Sequence, residues 1–301
     1  DEINGLTMGG VGSRTVIEHV EVMNNDDDGF EWFGGTVNTR YLATYFNSDD
    51  SFDYDQGFRG KGQFWFTVLG DVNGVGNRAG EHDGGTVPED GTPYATPEIY
   101  NATYIGAGAG SENVENDLVF IFRDNAGGMY HNSIFTDFNQ SALEVEDLAS
   151  GEDSRARLEA GDLLLTNNIW YGFGAGSSWS EIASQDFVQS YMSDAANANT
   201  IVDPKLRGIS RTSDAGLDPR LLSTSPALSG GKALPDDEFV TDVSYRGAFD
   251  NQSNWLSGWT LLDELGYLGD LADETTSEEG KPQKTVTDAD MSGDMVWSAD
   301  T

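Results

Sequence analysis

The residues best suited to chemistry in this chain are carboxylates that recur at a fixed spacing. Asp28 and Asp50 are 22 residues apart, and the aromatic residues that follow them, Phe30 and Phe52, have the same spacing. When the segments after these turns are aligned, Asp or Glu occupies two positions in most repeats. The first position holds Glu31, Asp53, Glu81 and Glu144, with Phe120 or Ile121 interrupting the row, and the second holds Phe33, Asp55, Asp83 and Glu146.

Clustered carboxylate oxygens predict a cation site. Ca²⁺ takes about six to eight oxygen ligands, and neighbouring carboxylates without a cation repel each other by roughly 1 kcal/mol even in water. Glu81 and Asp83 form a weaker candidate site around His82, because one His is poor support for a transition metal. The alternative for every such cluster is a hydrated acidic surface that holds Na⁺ or K⁺ loosely. The densest candidate set for Ca²⁺ is Asp27, Asp28, Glu31, Asp49, Asp50, Asp53 and Asp55.

A polysaccharide-cleaving enzyme is an alternative function for the same residues. A Ca²⁺-dependent lyase would need an Arg or Lys base near the acids, and Arg59 and Lys61 closely follow Asp53 and Asp55. Stacked acids would offer both the ~5–5.5 Å separation of retaining glycosidases and the ~6.5–9.5 Å of inverting ones, so spacing alone does not choose a reaction. Because the chain has no Cys and no Ser-His-Asp arrangement, we favour a non-enzymatic role. Two further candidates for the base are Arg40 and Arg123.

Short apolar segments must position these carboxylates. Segments rich in β-branched and aromatic residues, such as 15–23 (TVIEHVEVM) and 62–69 (GQFWFTVL), alternate with segments that end in Gly or a turn. The 22-residue spacing, without helical periodicity, predicts coils of short strands, each strand lying beside the previous one at about 4.8 Å. We therefore predict an all-β fold, a right-handed parallel β-helix. An antiparallel sandwich is less favoured because tight hairpin signals are few.

Aromatic residues are dense in the same repeats. Most of them should stack inside the coils, because matching positions form ladders in a solenoid. If the alternation of a strand instead turned Trp32, Tyr54 or Trp65 outward beside the acids, these rings would form a platform on which sugars could stack.

Several motifs resemble a family of secreted or cell-surface parallel β-helix proteins of Bacteroidota and relatives, often mislabelled in genomes as "multidrug transporter". The resemblance spans residues 2–268 and implies a β-helix in the cell envelope or secreted fraction, with activity unassigned. Members usually carry further coils before this point, so we expect a fragment or a processed chain. The motifs are EINGLTMGGVGSRTVIEHVEV, DDGFEWFGGTVN, DDSFDYDQGF, GEHDGG, PEIYNATYIG, DPRLLSTSPALSG and YRGAFDNQSNWLSGWTLLDELGYL.

The pattern changes twice along the chain. Residues 1–175 carry the repeats, with inserted loops expected at 70–97 and 148–160. Residues 176–272 lose the period, and four prolines between 204 and 235 indicate irregular wrapping. Within this region, 254–268 (NWLSGWTLLDELGYL) predicts a short helix that caps the open end of the solenoid. Residues 273–301 read as an acidic tail.

The charge balance narrows the environment and the partners. The chain has 52 Asp and Glu against 16 Lys and Arg, a net charge of -36, which excludes nucleic acid and anionic membrane surfaces as default partners. Such a charge repels itself in dilute buffer and is screened in concentrated salt. We expect an extracellular or cell-surface protein of a halophilic bacterium, without a membrane span.

These observations lead to one predicted function and two alternatives. We expect a structural or adhesive surface module, stabilised by Ca²⁺, that binds a polymer, a glycan or another surface protein. The first alternative is the Ca²⁺-dependent polysaccharide lyase or glycoside hydrolase, with Asp53, Asp55, Arg59 and Lys61 as its candidate catalytic residues. The second is a homo-oligomer, a surface assembly or filament whose tail 273–301 docks on a neighbouring subunit.

Overall fold

The computed structural model describes residues 3–85 and 87–269, so the predicted tail 273–301 lies outside the described residues. Short strands and a few short helices make up the described part. The strands are β1 (Leu6–Gly9), β2 (Val16–Met23), β3 (Phe30–Phe33), β4 (Asn38–Tyr45), β5 (Phe52–Asp55), β6 (Lys61–Val68), β7 (Gly80–Asp83), β8 (Glu98–Tyr100), β9 (Thr103–Ile105), β10 (Phe120–Arg123), β11 (Gly128–His131), β12 (Ile134–Thr136), β13 (Leu143–Val145), β14 (Leu163–Thr166), β15 (Ile169–Tyr171), β16 (Leu206–Gly208) and β17 (Asp218–Leu221). The helices are α1 (Ser154–Ala160), α2 (Trp179–Ile182), α3 (Asp186–Ser193) and α4 (Leu261–Glu264).

Two parallel sheets contain the repeats. The six-stranded sheet has the order β1-β3-β5-β7-β10-β13. In the nine-stranded sheet β2, β4 and β6 are neighbours, and β6 then pairs with both β8 and β9, which begin the rows β8-β11-β14 and β9-β12-β15. Strands β16 and β17 form a separate antiparallel pair. The prediction of an all-β fold with parallel strands is confirmed for the described residues.

A column of left-handed residues bends the nine-stranded sheet. His19, Tyr41 and Phe64 adopt φ of 54°, 55° and 57° within β2, β4 and β6. In later repeats the corresponding connection between two short strands passes through Asn101 and Asn132, with φ of 53° and 55°. Asn tolerates this conformation better than bulky residues do. The column therefore marks a bend that each repeat makes at the same place.

The core between the two sheets is a stack of aromatic rings. Phe30 lies 5.6 Å from Phe52, and Trp32 lies 4.9 Å from Trp65, in nearly parallel pairs. These side chains and Tyr54 are fully buried. Because Trp32, Tyr54 and Trp65 point inward, the sugar platform considered for them on the acidic face does not form there.

The outer face of the nine-stranded sheet is also apolar, and residues 206–269, here called the outer segment, cover it. Tyr45 and Phe66 of the sheet belong to one buried cluster with Phe249 and Leu256 of the outer segment. The short helix predicted within 254–268 is present, but it is only four residues long. It is α4, whose first backbone N–H groups donate to the carboxylate of Glu21 on β2. The apolar residues of 254–268 are buried against the outer face of the nine-stranded sheet, as Leu256 and Leu262 show.

Helices α2 and α3 instead cover the end of the stack at β13. Ile182, Val188 and Met192 are buried in the main core cluster. Gln185 continues the ladder with its side chain: its Oε1 accepts from the backbone N–H of Val145 at 2.9 Å and its Nε2 donates to the carbonyl of Val145 at 2.7 Å. Helices α2 and α3, which lie within the region predicted to wrap irregularly, therefore cover this end of the six-stranded sheet. The loops predicted at 70–97 and 148–160 likewise contain β7 and α1.

Candidate functional site

Strand pairing brings three carboxylates side by side on the outer face of the six-stranded sheet. Glu31 pairs with Asp53, and Asp53 pairs with Glu81, on β3, β5 and β7. Ile121 on β10 follows, and Glu144 on β13 completes the row. Alternation explains the placement, because the flanking residues of β3 and β5 are the inward-facing aromatics.

Asp28 joins this row from the turn before β3. One ligand oxygen from each of Asp28, Glu31 and Asp53 lies within 4.8 Å of the others. Asp28 and Glu31 are only 7% and 9% exposed. The Oδ1 atom of Asp53 is buried and has no hydrogen-bond partner among the residues that the structure describes. This unmatched acceptor is the observation that most favours a cation at the cluster.

The turn that carries Asp28 repeats from one coil to the next. Asp28 Oδ1 accepts from the backbone N–H of Asp50 at 3.0 Å, and Asp50 Oδ1 accepts from that of Arg78 at 2.7 Å. Gly29 follows Asp28 because a Cβ atom there would lie 2.7 Å from the carbonyl oxygen of Ser51. Each of these two aspartates therefore fastens its turn to the next one, which accounts for the recurrence of Asp at this position of the repeat.

These carboxylates sit in surroundings that disfavour their charged form. Burial, reinforced by the neighbouring carboxylates, raises the pKa of Asp28 to about 9. Burial raises the pKa of Glu31 to about 7 despite a hydrogen bond from Asn4. The pKa values of Asp50 and Asp53 also rise well above their ordinary range, chiefly through burial. Protons or a cation must compensate this cluster.

The donor set fits a hard cation. It consists only of oxygen atoms, which are the ligands that Ca²⁺ takes. It also includes a buried carboxylate oxygen without a hydrogen-bond partner, and it draws on two successive turns of the stack. A second cluster of Asp27, Asp28 and Asp49 shares Asp28 with the first. The described structure thus brings together five of the seven residues of the densest predicted set in two overlapping clusters.

Asp50 and Asp55, the other two members of that set, lie beside these clusters. Asp50 is 2% exposed and is engaged with the backbone N–H of Arg78. Asp55 stands two residues after Asp53 on β5, and its carboxylate accepts from the backbone N–H of Gln56. Neither belongs to a three-carboxylate group within the described residues.

At the second predicted cation site, Glu81 and Asp83, arginine side chains already neutralise the carboxylates. Arg123 Nε donates to Asp83 at 2.8 Å, and its guanidinium also pairs with Glu81. Arg78 pairs with Glu81 at 3.2 Å. Burial raises the pKa of Asp83 to about 6, while Arg123 opposes the rise. This site therefore has less need of a cation than the Asp28–Glu31–Asp53 cluster.

His82 lies on the other side of its strand from Glu81 and Asp83. Its ring stacks on Tyr54 at 3.9 Å, and its Nε2 is 2.9 Å from the hydroxyl of Tyr130. Burial lowers the pKa of His82 to about 3, so the ring is neutral at physiological pH. It is a core histidine and is separated from the acidic face.

The predicted catalytic bases are dispersed. Lys61 begins β6 in the nine-stranded sheet, away from the acids of β5, and forms an ion pair with Asp237. Arg40 lies in the same sheet and pairs with Glu18 at 2.7 Å. Arg59 is exposed in the connection between the two sheets. Arg123, which does lie on the acidic face, has its pKa raised by Asp83 and Glu81, the opposite of what a base needs.

A third carboxylate cluster was not foreseen. Glu89, Asp124 and Glu146 place ligand oxygens within 4.8 Å of one another. Glu146 belongs to the second aligned position of the repeats, but Glu89 comes from the loop after β7 and Asp124 from the turn after β10. The repeat alignment could not join them, because Glu89 and Asp124 lie outside its two aligned positions.

Comparison with known proteins gives one match. A family model described as a pectate-lyase-like beta helix domain matches residues 1–203. Neither the curated proteins nor the solved structures yield a match. None of the helices in the described part of the chain has the length and apolar character needed to cross a bilayer. The parallel sheets agree with the family model, which spans about two thirds of the sequence, and the chain therefore belongs to the pectate-lyase-like β-helix family.

Proposed function

We propose that this chain is a Ca²⁺-stabilised β-helix module that binds a polymer, a glycan or a partner protein at the surface of a halophilic bacterium. We further propose that its coils close in the right-handed sense, since about 98% of crossover connections between parallel strands have this hand. The observation that carries the cation part is the buried, unpartnered Oδ1 of Asp53 beside Asp28 and Glu31.

The cluster explains why a cation would stabilise the fold. Asp28 and Glu31 belong to one repeat and Asp53 to the next, and burial makes the repulsion between these carboxylates stronger than it is in water. Bound Ca²⁺ would supply the positive charge that the described protein groups around these three carboxylates do not. The carboxylates would then hold adjacent repeats together instead of forcing them apart.

Family membership supports glycan binding, and the placement of the bases favours binding over cleavage. Lys61 is paired with Asp237 on the other sheet, and Arg123 is paired with two carboxylates. The saline environment is supported by the net charge of -36. A lyase or hydrolase remains the second candidate function, and its products are easily measured.

The first test is the metal content and the thermal melt of the protein. We expect about one tightly held Ca²⁺ per chain after dialysis in molar KCl, and a melt that falls on addition of a chelator and recovers with Ca²⁺ but not with Mg²⁺. Asp53→Asn should remove most of the Ca²⁺-dependent rise, whereas Glu144→Gln, an exposed member of the same row, should retain it.

Two outcomes would contradict the proposal. Absence of retained Ca²⁺ together with a melt indifferent to chelator would reject the cation site. Release of unsaturated or reducing sugars from polysaccharides, lost in Asp53→Asn while the fold is kept, would make the protein an enzyme and reject the binding-module function.

A further inference from the structure

A recess walled by aromatic rings lies on the outer side of the nine-stranded sheet, away from the acidic face. It has a volume of about 210 Å³. The sheet contributes Tyr41 and Phe64, and the outer segment contributes Tyr245, Phe249 and Trp255. The outer segment lies beyond residues 1–203, so the family match does not account for this recess.

The rings of the recess are held in place before any ligand arrives. Tyr41 stacks on Phe64 at 5.1 Å, and Phe64 on Tyr245 at 6.5 Å. Trp255 stacks on Phe249 at 5.3 Å with the ring planes only 2° apart, and its Nε1 donates to the carbonyl of Ala248 at 3.0 Å. Binding here would cost little side-chain entropy, because the rings are already ordered.

The backbone conformation of Tyr41 and Phe64 gives a reason to connect this recess with function. Both are bulky residues in the left-handed region, where later repeats use Asn. This conformation costs about 1–2 kcal/mol for such residues. Phe64 is almost fully buried and contributes to packing, but Tyr41 is only half-buried and keeps part of its ring at the surface.

Further aromatic rings extend the recess along the sheet. His19 stacks on Tyr41 at 4.5 Å and meets Trp259 edge-on at 5.7 Å. Trp259 is 38% exposed and lines a neighbouring depression. We name the row Tyr245–Phe64–Tyr41–His19–Trp259 the aromatic strip. Because the rings of the strip stack on one another and Phe64 is almost fully buried, a sugar would meet chiefly the exposed part of Trp259 and the walls of the recess.

The charged side chains that line the recess and the neighbouring depression are acidic. Asp250 lines the recess; its Oδ1 accepts from the backbone N–H groups of Gln252 and Ser253 at 2.7 Å each, and its other oxygen accepts no hydrogen bond from the described residues. Asp263 and Glu264 line the neighbouring depression. Among the described residues, neither lining includes Lys, Arg or His. An anionic sugar would therefore be repelled.

We infer that the aromatic strip and its recess bind a glycan whose pyranose rings carry no carboxylate, being neutral or amino-bearing. The apolar faces of such rings stack on aromatic side chains, their hydroxyl or amino groups donate to carboxylates, and an amino group gains further from the aromatic faces. The inference deepens the proposed function and rests on its glycan-binding part, and it assigns that part to a surface distinct from the Ca²⁺ cluster.

The test is calorimetric titration of the Ca²⁺-loaded protein with three tetrasaccharides, which are built of glucosamine, of N-acetylglucosamine and of galacturonate. We expect both glucosamine forms to bind more tightly than galacturonate. Trp259→Ala should weaken binding of both forms by roughly tenfold. Asp250→Asn keeps the shape of the side chain and should weaken the amino form more than the acetylated form. The matched control is Tyr171→Ala, which removes another exposed aromatic ring, 39% exposed and outside the strip, and should bind as the wild type does.

Each other result counts against the inference. Tighter binding of galacturonate would overturn the ligand class, and unchanged affinity in both Trp259→Ala and Asp250→Asn would overturn the location while leaving glycan binding intact. If the wild type binds none of the three, this inference fails, and the glycan part of the proposed function is then tested separately on a wider glycan panel. Thermal melts of the variants establish that they are folded.

Discussion

At the scale of single residues, Asp28 and its repeat Asp50 combine two roles. Each accepts the backbone N–H of the following turn, which ties successive repeats together. The turn also buries the carboxylate, and this burial raises its pKa, although the N–H donor of Arg78 opposes the rise at Asp50. The fold thus requires an aspartate in a place where its charge is unfavourable, and the nearby carboxylates increase the need for a counter-charge.

We expect the Ca²⁺-free protein to lose stability between about pH 7.5 and about pH 9. In this range Asp28, whose pKa is about 9 in the folded chain, keeps more of its proton than it does in the unfolded chain, where Asp ionises near pH 4. The folded state therefore binds more protons, and the free energy of unfolding falls as pH rises, by about 1 kcal/mol per pH unit.

Melts in a chelator check this dependence. The buried His82 and His131 have lowered pKa values of about 3, so their opposite contribution belongs to more acidic solutions. Saturating Ca²⁺ should flatten the profile, because metal binding holds the carboxylates ionised. A chelated protein whose melting temperature rises across the same range would contradict the burial of these groups.

Gly29 tests how tightly the turn around Asp28 is built. We expect Gly29→Ala to lower the free energy of unfolding by about 1–3 kcal/mol, because the added Cβ would press on buried backbone at Ser51. Gly9→Ala is the matched control, since a Cβ there meets nothing within 4 Å. Denaturant titration measures both, and equal stabilities of the two variants would show that the turn is looser than described.

At the scale of secondary-structure elements, the end of the six-stranded sheet depends on one side-chain amide. Gln185 occupies both backbone groups of Val145 on β13, the last strand of that sheet in the described residues. We expect Gln185→Ala to cost about 1–2 kcal/mol and to promote self-association through the exposed strand edge. Melting and light scattering should show both effects, and Gln189→Ala on the same helix should show neither.

The strands were predictable from sequence because their spacing repeats. Once Phe30 is aligned with Phe52, a parallel register places Glu31 beside Asp53, and the observed pairing is the same. The pairing of Arg123 with Asp83 was harder to foresee, because arginine is not part of the repeat. That Asp53 Oδ1 is buried without a hydrogen-bond partner could not be predicted, because the spacing of the carboxylates does not determine how deeply they are buried.

The helices and the outer segment were predicted less well for a different reason. Helix α3 is eight residues long, and its apolar spacing could have been noticed, at Phe187, Val188, Tyr191 and Met192. The role of α4 depends on Glu21, which is 240 residues from Leu261 in the sequence. Contacts of this range leave no local pattern, and the apolar residues of 254–268 fit a cap and a sheet cover equally well.

At the scale of the whole molecule, the net charge of -36 makes the fold sensitive to ionic strength. We expect the melting temperature to rise by several degrees between about 0.1 M and about 1 M KCl, as the Debye length shortens from about 10 to about 3 Å. NaCl should act like KCl, because screening depends on ionic strength. A melt unchanged or lowered by salt would contradict adaptation to a saline environment.

The outer segment also has a consequence for how the molecule unfolds. In a solenoid whose repeats touch only their neighbours, terminal repeats can fray one at a time. Here the outer segment bonds to β2 in the first repeat through Glu21, and also to Thr103 and Asn132 in later repeats. Peeling the first repeat away therefore requires the outer segment to detach as well. Because the outer segment connects the first repeat to later ones, residues 3–269 should unfold in one cooperative transition rather than as a series of independent repeats.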